Sequence, residues 1–226
     1  MDGIVSETGE RLINEVNSDY LMKYNTKIAE EIRLSGSEEE LRAFHYAQRT
    51  LENFGIPTKL TFQDAYISLP ESASFQIGEV SFPCITHSMA RSTFAGGEEG
   101  ELIYINELTD EKIGLLKGKI AVLEGIALPE ILQQVEKAGA RAVIFISGPY
   151  THEMIVSTVW GSPTHETIQL MPKIPVISIN EESGREVKSL IARDTNIARI
   201  FTEVKAEWLK IPVLTADIIG KENPEQ

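Results

Sequence analysis

Val135-Glu136-Lys137-Ala138-Gly139-Ala140-Arg141-Ala142-Val143-Ile144-Phe145-Ile146 is the stretch that decides the fold. Its first part closes a helix, Gly139 is the residue type that ends one, and everything from Ala142 to Ile146 is apolar with no polar alternate. An unbroken apolar run bounded by turn residues fits a buried strand. The helix is expected over 129–138, opened by Pro129 at a position that needs no N–H, and the strand over 141–146.

The same grammar extends outward. Leu116-Lys117-Gly118-Lys119-Ile120-Ala121-Val122-Leu123 gives a strand over 119–123, which Gly118 lets the chain enter sharply. Ile174-Pro175-Val176-Ile177-Ser178-Ile179 gives a strand over 176–179, followed by a helix over 182–191, and residues 101–105 give a further strand. Between them, residues 148–172 carry weak periodicity with Gly148, Pro149, Gly161, Pro163 and Pro172. Loops of that length inside a domain are functional or mobile.

Before this region, Leu12, Ile13, Val16, Leu21, Tyr24, Ile28 and Ile32 recur three or four apart, predicting two helices with a break at Asn17-Ser18. Gly36 ends the second helix, and Ser37-Glu38-Glu39-Glu40 is a capping box opening a third. That helix carries Leu41, Phe44, Leu51 and Phe54 on one face and stops at Gly55 and Ile56-Pro57. Residues 59–69 alternate as a strand that Pro70 closes. Residues 197–204 and 209–219 read as two more strands parted near 205–208, ahead of the polar tail 220–226. The fold class is α+β.

The composition narrows the function. The chain has 226 residues, 42% of them hydrophobic, enough for one large domain or two smaller units. Asp and Glu number 34 against 21 Lys and Arg, a formal net charge of −13 with no basic cluster, which argues against nucleic acid as a partner. The acidic runs Glu38–Glu40, Glu98-Glu99 and Glu181-Glu182 read as solvated faces or helix first turns before they read as cation sites. The longest apolar runs, 142–146 and 211–214, fall far short of the roughly 20 residues that cross a bilayer, so no membrane span is expected. The first 30 residues show no signal-peptide pattern, and a cytoplasmic setting is expected unless a signal was removed. Cys84 is alone among Phe82, Pro83 and Ile85, as a buried hydrophobe would be.

Catalytic patterns fail one by one. His152-Glu153 and His165-Glu166 begin a His-Glu-x-x-His zinc motif, but the fourth positions on are Val156 and Gln169. No His has Asp two residues later, no Gly-x-Ser-x-Gly elbow exists, and His87-Ser88 are sequence neighbours, which does not make a triad. The Gly96-Gly97 to Gly100 turn carries Glu98-Glu99, whose charge repels phosphate. No catalytic or metal-ligating residue is therefore assigned. The candidate interaction residues are Tyr150, Trp160 and His165 in the long loop, since aromatic side chains anchor interfaces. Packing of that loop onto its own domain is the commoner use of such aromatics.

Arg33-Leu34-Ser35-Gly36-Ser37-Glu38-Glu39-Glu40, with helices on either side and the ending Leu51-Glu52-Asn53-Phe54-Gly55, resembles the N-terminal region of the zinc aminopeptidase family that includes glutamate carboxypeptidase and the transferrin receptor ectodomain. The blocks 116–123, 135–146 and 174–179 with Ser183-Gly184 resemble, in order and spacing, the protease-associated domain inserted in those enzymes. The resemblance covers essentially the whole chain. It implies a peptidase-domain segment of helices and a strand over 1–70, a protease-associated domain over 71–200 of open β-barrel or sandwich type with flanking helices, and returning peptidase-domain strands over 201–226. It further implies that 216–225 stands just before the first metal-binding segment, so that the chain is truncated ahead of every zinc ligand. Zinc and peptide substrates then belong to the full-length parent, with this part a lid or access domain. A stand-alone peptide- or protein-binding module is the alternative. Strand edges and helix faces meant for a larger sheet would favour self-association.

Overall fold

A computed structural model describes residues 7–220. Helices α1 (Glu7–Glu15), α2 (Ser18–Ile28) and α3 (Glu38–Asn53) lead into strand β1 (Thr58–Ile77). β2 (Val80–Phe82), β3 (Ile85–Thr86) and β4 (Glu98–Ile105) follow, then the short α4 (Asp110–Ile113) with a 3-10 turn, β5 (Ile120–Glu124), α5 (Pro129–Lys137) and β6 (Ala142–Ile146). β7 (Val176–Ile179), α6 (Glu181–Ile191) and β8 (Ile197–Ala216) complete the chain. The strands form one mixed sheet in the order β2-β1-β8-β4-β5-β6-β7-β3. β4 to β7 pair in parallel, while β3 on β7, β8 on β4 and β2 on β1 are antiparallel.

The parallel strands β5 to β7 are buried on both faces, and their alternation sorts them into two cores. Ile120, Val122, Ile144, Ile146, Ile177 and Ile179 face one side, where Val187 of α6 covers them. Ala121, Leu123, Val143, Phe145 and Val176 face the other, where Leu132 and Val135 of α5 and Val156 and Ile174 of the β6–β7 connection lie. Side chains of period two on a sheet with helices above and below account for the unbroken apolar sequence of β6.

The chain divides into two compact units. Ala65–Trp208 is one and holds both cores. The other joins the described residues up to Asp64 with those from Leu209 onward, and among them Pro212 alone is buried. Local signals fix its helices. Asn17 Oδ1 accepts from the N–H groups of Asp19 and Tyr20, so the break expected at Asn17-Ser18 is the N-cap of α2. Ser37 Oγ accepts from Glu40 N–H at 3.1 Å, while the Glu40 carboxylate accepts from Gly36 N–H at 2.7 Å, one residue earlier than in the standard capping box. Gly36 holds φ of +83°, and a Cβ there would lie 2.5 Å from Leu209 Cδ1. Leu12, Ile13, Val16, Leu21 and Phe54 remain exposed.

Several expected boundaries differ. β1 continues through Pro70 to Ile77, because a proline ends a strand only where the ladder needs its N–H. β8 runs unbroken through 205–208, where Lys205, Ala206 and Glu207 are exposed and polarity costs nothing. Cys84 is half-buried between β2 and β3, packed against the first core, and burial pushes its thiol up to about 11. Glu98 and Glu99 are paired with Arg141 and Arg199, and the other two acidic runs sit in the first turns of α3 and α6.

Gly184 of α6 fixes how closely that helix lies on the sheet. A Cβ there would stand 2.5 Å from Ile146 Cγ2 and 2.9 Å from Cδ1, inside a buried strand that has no room to yield. Gly184→Ala is therefore expected to destabilise the chain by about 1–3 kcal/mol in urea unfolding, although alanine is the better helix former. An alanine variant as stable as the parent would show that α6 can lift from β6 freely.

Candidate functional site

The site grows out of one topological demand. β6 and β7 are parallel, so the chain leaving Ile146 must travel back along the sheet before β7 begins at Val176. Such crossovers are usually helices. Here the return is a loop with a single 3-10 turn at Ile168–Leu170, lying on the same sheet face as α5, the β5–β6 crossover. A helix beside an irregular loop does not close the surface, and a cleft of about 830 Å³ remains.

The loop is pinned to the strip that follows β3. His87 is fully buried. Its Nδ1 accepts from Met154 N–H at 3.0 Å, so Nε2 carries the proton and donates to Ser178 Oγ at 2.9 Å. The carboxylate of Glu153 accepts from Ser88 N–H at 2.8 Å, and Val156 N–H donates to Ser88 C=O at 3.0 Å. Burial pushes the His87 imidazole down to about 4, against the opposing pull of the Glu153 carboxylate. The neutral ring is thus the folded form.

Met89, next in the strip, has φ of +67°, a conformation that costs a non-glycine residue of order 1 kcal/mol. Its N–H donates to Ser68 Oγ at 2.8 Å, and its side chain lies on the cleft wall. The far end of the loop is tied to β1, where Tyr66 N–H donates to Ser162 Oγ at 2.8 Å. Ile155, Val159 and Trp160 supply the loop wall, Tyr66 and Ile67 come from β1, and Pro129, Glu130 and Gln133 come from α5. The volume falls inside the roughly 300–1,000 Å³ common to ligand sites.

The three loop residues singled out in the sequence fare differently. Trp160 is on the cleft wall and fully exposed, so it does not pack down onto its own domain. Tyr150 is also exposed but stands off the wall. His165 stacks on Trp208 with centroids 4.1 Å apart, and Trp208 meets the ring of Tyr66 at 5.5 Å, so His165 buttresses the cleft from behind. His87, Met89, Ser162 and Glu130 carried no local signal. His87 and Ser178 are 91 positions apart, and the pair is not His87 with its neighbour Ser88.

Zinc does not fit these residues. No group of three or more His, Cys, Asp or Glu side chains that could hold a metal occurs among the described residues. Both nitrogens of His87 are committed and His165 is stacked. No described helix is long and apolar enough to cross a membrane.

No protein-family model matches the chain, and no curated protein matches it in sequence. Solved structures match it by fold. An aminopeptidase from Aneurinibacillus sp. strain AM-1 is 18% identical with a TM-score of 0.71, covering 93% of this chain and 50% of that one. A zinc aminopeptidase from Bacillus subtilis is 15% identical with a TM-score of 0.65, covering 90% and 47%. A peptidase M28 precursor from Shewanella amazonensis SB2B is 16% identical with a TM-score of 0.53, covering 88% and 48%. The chain thus has a fold similar to part of these peptidases and spans about half the length of each.

The His87 pin generates a pH dependence of known sign. The folded state holds the ring neutral down to about pH 4, whereas the unfolded chain takes up the proton near 6.5. The associated stability is complete above pH 6.5 and is lost as pH falls from 6.5 towards 4, about 3 kcal/mol in all. Urea unfolding at pH 7.5 and 4.5 is expected to show a clearly smaller loss for His87→Gln than for the parent. Equal losses in both proteins would contradict the assignment.

Proposed function

We propose that the chain is the non-catalytic, protease-associated part of a zinc metallopeptidase of aminopeptidase type, in which the Ala65–Trp208 unit serves as a lid or substrate-access domain and holds peptide in the cleft beside α5. The observation that carries this reading is the cleft itself, with Trp160 presented to solvent at its wall. An indole left fully exposed at a largely apolar opening is the arrangement of an interface anchor. The fold likeness to zinc aminopeptidases supplies the setting.

An access domain contributes by binding parts of the peptide remote from the bond being cut. That binding energy can then be used for orientation at a catalytic centre elsewhere. The cleft offers walls pinned by hydrogen bonds at Ser162 and Met89 and a volume of about 830 Å³. The long crossover loop supplies one wall of the cleft.

Titration calorimetry of the chain with a mixture of unblocked hexapeptides is expected to show heat of binding. Trp160→Ala should weaken it about thirtyfold, the roughly 2 kcal/mol at which an interface residue counts as a hot spot. The peptides should be recovered uncut. Unchanged binding by the alanine variant, or chelator-sensitive cleavage of the peptides, would overturn the reading.

A further inference from the structure

We propose that the cleft selects a peptide segment in which an apolar or aromatic side chain stands next to a positive charge, and that Glu130 is the residue that reads the charge. The inference rests on the access reading above and specifies its ligand. Among the side chains on the cleft wall, Glu130 is the one Asp, Glu, Lys, Arg or His. It is exposed at the start of α5 and makes no hydrogen bond or ion pair within the described residues.

The helix dipole accounts for tolerance of a carboxylate in the first turn of α5. It does not account for the wall opposite, where Tyr66, Met89, Ile155, Val159 and Trp160 offer apolar and aromatic surface around that single charge. A ligand matching both features places an apolar group against Met89, Ile155 and Val159 and a cation within reach of Glu130. Trp160 and Tyr66 add to the preference, since aromatic faces attract cations. An acidic ligand finds no cation on the wall to receive it, and the net charge of −13 repels it at longer range.

The positive charge could come from a free α-amino terminus or from a Lys or Arg side chain, and the chemistry at Glu130 is the same. Four peptides separate the cases, each with a dye on a neutral C-terminal linker. They are an unblocked peptide beginning Phe-Leu, its N-acetylated form, an N-acetylated peptide with Arg beside Phe, and one with Glu beside Phe. Fluorescence anisotropy with the full chain is expected to show at least one cationic peptide binding about fivefold tighter than the acetylated neutral one, the worth of a partly exposed ion pair. That preference should vanish in Glu130→Gln and shrink with added salt, and the acidic peptide should bind weakest.

Tight binding of the unblocked peptide alone assigns the α-amino group, and tight binding of the Arg peptide assigns a basic side chain. A preference that survives in Glu130→Gln, or resists salt, overturns the proposal. Four equal affinities that Trp160→Ala abolishes leave the access reading standing and remove the charge selection. Failure of all four to bind removes both.

Discussion

Parallel pairing of β6 with β7 is the constraint on which the rest depends. Parallel strands need a return path, and covering both faces of the sheet means that each path must also supply apolar cover. Helix α5 does this between β5 and β6 with Leu132 and Val135. The next return covers the same face with Met154, Val156 and Ile174 from a loop. A loop with so few apolar contacts of its own cannot hold position unaided, and polar hooks make up the difference. His87 to Met154, Ser88 to Glu153 and Ser162 to Tyr66 are those hooks. The cleft is what remains between a helix and a loop that share one face.

On the opposite face the tolerance is tighter. Gly184 lets α6 approach Ile146 to a distance no side chain would permit. The two faces therefore play different parts. One is a packed support, and the other carries the irregular, ligand-accessible surface that loops on rigid scaffolds commonly provide.

Much of the scaffold was legible because its signals are local. The apolar run at 142–146, Pro129 at a helix start, Gly139 after a helix end and Ser37 as an N-cap each act within a few residues. What escaped the sequence depended on distant partners. Pro70 reads as a terminator, yet β1 continues through it, and 205–208 reads as a break until it proves to be a largely exposed stretch of a continuing strand. The loop was visible as a long aperiodic segment, but Trp160 facing solvent and His165 facing Trp208 were not separable by pattern. His87 carried no pattern of its own because Met154 and Ser178, the partners that give it meaning, lie 67 and 91 positions away. Glu130 stands in the first turn of α5, where an acidic residue is ordinary, and only the apolar wall assembled from β1 and the loop sets it apart.

The central claim is that this chain holds peptide between α5 and the crossover loop. An amide chemical-shift map of the full 25.1 kDa chain, recorded with and without an unblocked peptide beginning Phe-Leu, tests it most directly. The account predicts saturable shifts confined to the amides of Ile155 to Ser162, Tyr66, Met89 and the first turn of α5. Shifts centred instead on α1 to α3 or on the β2–β1 edge, with the loop and α5 unmoved, would contradict it.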